Sequence, residues 1–153
     1  MIQDKDPRGI LQINISDVQA QFFSNVSNDV DGEFFVVQGT VQNRYKEIRN
    51  SISLKIQLIS ADGQLLRSEI IYAGNKLSDE QLKNLDIDSI RRLLTNKYGT
   101  DKNNAKVHPD HKIPFVAVFA LDSMEGREPF SEFSVMPDGS FPGVAVIKQN
   151  VEE

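Results

Sequence analysis

The most constraining feature of the chain is an alternation that ends in a tight turn. Ile52, Leu54, Ile56 and Leu58 alternate with Ser53, Lys55 and Gln57, and Ser60-Ala61-Asp62-Gly63 follows. A period of two puts the four apolar side chains on one face of a strand. Asp-Gly supplies the positive φ that a hairpin turn needs. Leu65 to Ala73 is then the returning partner strand. A half-buried antiparallel hairpin must close its apolar face against a second layer, so the chain is built from packed sheets.

The rest of the chain repeats the pattern. Leu11, Ile13 and Ile15 alternate with polar neighbours, and Val18 to Phe23 continues that strand beyond a bend. Asn25 to Gly32 reads as a turn. Phe34 to Gln42 is rich in β-branched and aromatic residues, which predicts a buried strand. Gly39 inside it marks a bulge or a close backbone approach. In Ile113 to Leu121 both faces are apolar, which predicts a central strand covered on two sides. Phe130 to Met136 is extended, Pro137-Asp138-Gly139-Ser140 is a turn signal, and Val144 to Lys148 is the expected last strand.

Residues 77–99 break the strand pattern. Ser78 and Gln81 have capping-box spacing, and Asp86 opens a second helix with Leu85 and Ile90 placed as a hydrophobic staple. Ile90, Leu93, Leu94 and Tyr98 recur at helical spacing, and Gly99 is the expected stop. Thr100 to Pro109 reads as a polar loop. The prediction is a mainly β, antiparallel immunoglobulin-like β-sandwich of about seven strands with a helical insertion at 77–99. At 153 residues the chain is one domain, with its core between about residues 8 and 148.

Composition removes several functions. The chain has no cysteine, so it has no disulfide, thiol nucleophile, zinc ribbon or iron–sulfur ligand of its own. A net charge of −5 argues against a nucleic-acid surface. No apolar run reaches membrane-spanning length, and the first residues lack the apolar stretch of a signal peptide. The chain is therefore expected to be cytoplasmic or to be a domain of something longer.

Few motifs carry chemistry. His108, Asp110 and His111 lie in a His-Pro-Asp-His run whose donors suit zinc or nickel, although Pro109 prevents a helix that would put both rings on one face. Asn28 to Glu33 resembles part of a calcium loop, but Gln38 stands where the bidentate Glu of an EF-hand is required. The chain has neither a Gly-x-Ser-x-Gly elbow nor a glycine-rich phosphate loop. Two Asn-x-Ser triplets, at Asn14 and Asn25, matter only in a secreted eukaryotic protein. Lys83, Arg91, Arg92 and Lys97 form a basic set on the insertion, a candidate partner surface or a solvated helix face.

Three strings together carry a family resemblance. They are Val37-Gln38-Gly39-Thr40-Val41-Gln42-Asn43, Tyr72-Ala73-Gly74-Asn75 running into Leu77-Ser78-Asp79-Glu80-Gln81-Leu82, and Ile113-Pro114-Phe115-Val116-Ala117-Val118-Phe119. In this order they resemble the bacterial domain of unknown function 3426, over roughly residues 10–136. The resemblance implies a membrane protein with an N-terminal zinc ribbon, one transmembrane helix and this domain beyond the membrane, in the periplasm or outside the cell. It brings no activity and no catalytic residues. Set beside it, the missing cysteines suggest that the ribbon lies outside this sequence, as does the helix that would make the membrane contact.

The functional expectation is a non-catalytic, extracytoplasmic binding or protein-interaction module with an unidentified protein partner, no nucleic acid and no cofactor. Its expected contact region is the insertion, through Arg91, Arg92 and Lys97, with the adjacent Thr100–Lys112 loop. The alternatives are a metal-binding module using His108, Asp110 and His111, and a cytoplasmic enzyme of unrecognised type.

Overall fold

The computed structural model describes residues 5–25, 32–121 and 130–143. Six strands and two helices follow in the order β1 (Ile13–Asn25), β2 (Gly32–Asn43), β3 (Arg49–Ser60), β4 (Leu65–Tyr72), α1 (Asp79–Asn84), α2 (Ile87–Leu94), β5 (Lys112–Ala120) and β6 (Phe130–Pro142). They form two antiparallel sheets, ordered β1-β2-β5 and β4-β3-β6. The fold is mainly β, as expected. The expected strand at Val144–Lys148 and residues 28–31 of the calcium-like turn lie outside the described residues, and Gly32 and Glu33 of that turn open β2.

The β3–β4 hairpin follows the sequence closely. Ile52, Leu54, Ile56 and Leu58 are all 0% exposed. The turn closes through Gly63 N–H to Ser60 C=O at 3.0 Å, with Gly63 at φ 90°. The two sheets share one core. Val37 and Val41 of β2 meet Phe115 and Phe119 of β5 on the inner face of the first sheet, and Phe35 touches Phe133 of β6 edge-on at 5.6 Å.

The strand Ile113–Leu121 is placed differently from the expectation. Among the described residues β5 is an outer strand, and β2 holds the centre of its sheet. Its two-sided apolarity has another cause. Val36, Val116 and Val118 point away from the second sheet and are still 0, 5 and 3% exposed. α1 packs on β1 and α2 on β5, so the insertion covers that outer face with Leu82, Ile90 and Leu94 buried. An edge strand under a helix needs apolar residues on both faces just as a central strand does.

The helices start where expected. Ser78 Oγ accepts from Gln81 N–H, and the Gln81 side chain accepts from Ser78 N–H at 2.8 Å. The second helix stops earlier, however. It ends at Leu94 with Thr95 as cap, and Tyr98 is 43% exposed instead of continuing the apolar stripe. Gly99, at φ 79°, precedes a single 3-10 turn at Thr100–Lys102. The loop that follows is less polar in burial than in composition. Asn104 and Val107 are 0 and 1% exposed, and Val107 exchanges backbone hydrogen bonds with Arg49.

Four asparagines satisfy the backbone groups that this irregular chain brings inside. Asn104 Nδ2 donates to Ile52 C=O at 3.0 Å and Ala73 C=O at 2.9 Å, and its Oδ1 accepts from Ile52 N–H at 3.0 Å. Asn75 Nδ2 donates to Asn96 C=O at 2.9 Å. Asn43 Nδ2 donates to Val107 C=O at 2.9 Å and to Glu47 C=O at 2.9 Å. Asn25 Nδ2 reaches Leu82 C=O and Leu85 C=O, each at 2.8 Å. Each amide acts as a short piece of strand where no strand exists, because a buried unpaired backbone group costs about 1–3 kcal/mol.

Bulges account for the other differences. Ser16 pairs with Thr40 and Gln19 with Gln38, so Asp17 and Val18 together oppose Gly39. Asp17 has φ 56°. Gly39 itself is a close approach, since a Cβ there would lie 2.6 Å from Phe115 Cε2 and 3.1 Å from Ser16 O. Pro137–Ser140 is not a turn between strands, contrary to the expectation. Leu54 pairs with Pro137 and Ser53 with Gly139, so Asp138 is the extra residue of a bulge inside β6. Proline and glycine are tolerated in a strand at such bulges.

Asn104→Ala takes the side-chain partner from Ile52 N–H and from Ala73 C=O in the core, while Ile52 C=O keeps the bond from Ala73 N–H. It is expected to destabilise the fold by about 3 kcal/mol or more, read as a shifted urea midpoint. A shift below about 1 kcal/mol would contradict this role for the amide.

Candidate functional site

Asp138 of the β6 bulge lines a recess of about 860 Å³. It is lined by the N-terminal segment, the β2–β3 loop and the end of β6, together with Tyr72 and Ser53. That volume is within the range of small-ligand pockets.

Arg49 is its hub. The side chain starts β3 and is buried, with Nε donating to Ser140 Oγ at 3.0 Å and Nη2 donating to Ser140 Oγ at 2.8 Å and to Ser140 C=O at 3.1 Å. Nη1 is ion-paired with Glu47. The guanidinium lies 4.3 Å from the centre of the Tyr45 ring. A buried cation requires this degree of pairing, since burying an unpaired charge is far costlier than burying a neutral polar group.

The N-terminal segment joins the same network. The Tyr45 hydroxyl donates to the Asp6 carboxylate. Asp6 Oδ1 accepts from Ile10 N–H at 2.9 Å and Leu11 N–H at 3.3 Å. Arg8 meets the bulged Asp138 at 2.7 Å, and Ser53 Oγ donates to the other oxygen of that carboxylate at 3.1 Å. Gly9 stands at φ 70° in contact with Arg49 and Ser140, where a Cβ would collide with the Arg49 guanidinium.

The electrostatics follow from these contacts. Burial alone would raise the Asp6 carboxyl, but the Tyr45 hydroxyl, the Ile10 and Leu11 amides and the Arg49 charge outweigh it and hold the group below the usual carboxylate value. Burial, reinforced by Asp6, pushes the Tyr45 hydroxyl above its ordinary value. Asp6 and Tyr45, Arg8 and Asp138, and Arg49 and Glu47 are thus engaged with one another. Arg49, Glu47, Asp138 and Ser140 hold the walls in place, and no imidazole is among the lining residues.

The residues singled out from the sequence lie elsewhere. Arg91 is drawn into the fold, 3.6 Å from Glu69 of β4 and 3.7 Å from Asp88. Arg92 is exposed and donates to Ser89 Oγ at 3.1 Å. Lys97 is exposed and sits 5.2 Å from the Tyr98 ring centre. His108 and His111 are both exposed, with ring centres 6.2 Å apart, on a turn closed by His111 N–H to His108 C=O at 3.0 Å. Asp110, at φ 68°, turns to Arg44 at 3.6 Å. Among the described residues no group of three or more His, Asp or Glu side chains is gathered as metal ligands would be.

The recess escaped the sequence reading because its hub joins residues far apart. Arg49 and Ser140 are 91 positions apart. Their one local signal is Pro137-Asp138-Gly139, residues that a bulge shares with a turn. No helix of the described residues is long and apolar enough to cross a membrane.

The pH dependence of stability tests the Asp6 contacts. A carboxyl held below its unfolded value contributes stability that is present above about pH 4 and lost as pH falls through the lowered value. Asp6→Asn is expected to lower stability at neutral pH and to flatten the decline between about pH 4 and pH 2, measured by denaturant midpoints. A decline as steep as that of the unsubstituted protein would contradict the assignment.

Comparison with known proteins locates the chain by family. Neither a curated protein nor a solved structure matches it. Residues 15–135 match the family described as protein of unknown function DUF3426, a span that runs from Ile15 in β1 to Val135 in β6 and contains the whole helical insertion. The chain therefore belongs to the DUF3426 family.

Proposed function

We propose that this chain is a non-catalytic binding module, displayed outside the cytoplasm by a membrane-anchored protein and recognising a protein partner. The immunoglobulin-like sandwich of about seven strands belongs to the same proposal. Two antiparallel sheets sharing one core support it.

One observation carries the interaction reading. α2 buries Ile90 and Leu94, but its outer side and the turn after it present Arg92, Leu93, Lys97 and Tyr98 to solvent, with Leu93 40% and Tyr98 43% exposed. Basic side chains around an apolar and an aromatic residue are the composition of a protein-contact surface, where arginine and tyrosine act as anchors. Such a surface complements an acidic partner with an apolar spot. Arg91 contributes less, because Glu69 and Asp88 already engage it. The Arg49 recess supports the non-catalytic half of the reading, since its charged groups brace its own walls.

Arg92→Glu combined with Leu93→Asp tests the surface. Both side chains are exposed, so the melting temperature is expected to hold. Recovery of the partner from a cell-envelope extract is expected to fall about tenfold, the equivalent of ~1.4 kcal/mol. Unchanged recovery of every partner would contradict the reading.

A further inference from the structure

The N-terminal segment before β1 is attached to the domain in an unusual way. Between Lys5 and Gln12 no apolar side chain is buried: Leu11 is 67% exposed, Ile10 is half-buried, and the one buried residue is Gly9. The segment is held by polar contacts instead. Asp6 binds the Tyr45 hydroxyl, Arg8 binds Asp138, and the carbonyls of Arg8 and Gly9 accept from the N–H and the hydroxyl of Ser140. Its far end is fixed where Arg44 N–H donates to Gln12 C=O at 2.8 Å, one residue before buried Ile13.

This arrangement differs from that of the sheets. Their strands are held by buried apolar side chains, which open only with the whole fold. A segment with none of these has a lower opening free energy, set by a few hydrogen bonds, of which the one from the Ser140 hydroxyl to Gly9 C=O is buried, and by one ion pair whose Arg8 side is exposed. The contacts are also mutual. Asp6 folds the segment on itself by accepting from Ile10 and Leu11, and that turn sets Arg8 and Gly9 opposite Ser140. Losing one anchor therefore weakens the next. The segment forms one wall of the recess and lies against Arg49, which is 6% exposed.

We propose that residues 5–12 are a strap that gates the Arg49 recess, opening as one unit while both sheets stay folded. Opening removes the acceptors of Ser140 N–H and Ser140 Oγ and uncovers the guanidinium of Arg49. Glu47 and Tyr45 stay with Arg49 in the open state, because both belong to the β2–β3 loop and not to the strap.

Native-state hydrogen exchange on the full chain tests the strap. The amides of Ile10, Leu11 and Ser140 are expected to exchange with a shared opening constant, ahead of the amides at the centre of β2. Asp6→Asn, or Tyr45→Phe should that variant fold poorly, is expected to accelerate all three by a common factor of about ten and leave β2 unchanged. The proposal is overturned if Ser140 keeps its original rate while Ile10 and Leu11 accelerate. It is equally overturned if all three exchange only with β2, through global unfolding.

Discussion

Backbone amides and carbonyls inside a protein must be paired, and in this domain that requirement decides how the helical insertion is attached. The outer face of the β1-β2-β5 sheet is apolar at Val36, Val116 and Val118 and needs a cover. The chain supplies two short helices joined by irregular segments, which bring unpaired backbone groups into the interior. Asn25, Asn75 and Asn104, each at most 3% exposed, answer them. Asn104 is the strongest case, since one side chain ties the bulge of β3 to the end of β4 through three hydrogen bonds. The glycines at 74 and 99 belong to the same device: both have positive φ, and both lie against Asn103 where a Cβ would not fit.

Bulges perform a related task beside that seam, near the start of β3. The extra residue in β6 aims Asp138 at Arg8 and Ser53, and the extra residue in β3, Ser51 at φ 52°, gives its N–H to Asn104 C=O at 2.9 Å. One strand pairing therefore feeds two sites. β3 starts at Arg49, inside the charged recess, and two residues later reaches the seam of the insertion. The recess and the insertion seam are both built on departures from regular strand geometry, which is where binding surfaces on sheets are commonly found.

The sequence carried the regular parts well and the irregular parts poorly, for physical reasons. Alternation from Ile52 to Leu58, the Asp62-Gly63 turn and the Ser78–Gln81 capping box depend on neighbours within a few positions, and each appears as read. Pro137-Asp138-Gly139 was misread because a bulge and a turn use the same residues. β5 was misplaced because burial under α2 leaves the same two-faced apolar pattern as burial at the centre of a sheet. Tyr98 continued a helical spacing that the backbone had already left after Leu94. Arg49 was invisible, since a buried arginine is recognisable only once Ser140 and Glu47 stand beside it. The basic set on the insertion is legible as a surface, but its division into Arg91, held by Glu69, and Arg92, exposed and bonded to Ser89 Oγ, is not.

Buried asparagine side chains tie the insertion into the same cooperative unit as the sheets. Urea unfolding followed residue by residue with NMR measures this directly. The amide signals of Leu82 and Ile90 should disappear at the same urea midpoint as those of Val36 and Ile56. Loss of the helical signals at a clearly lower midpoint, with the strands still folded, would contradict the account.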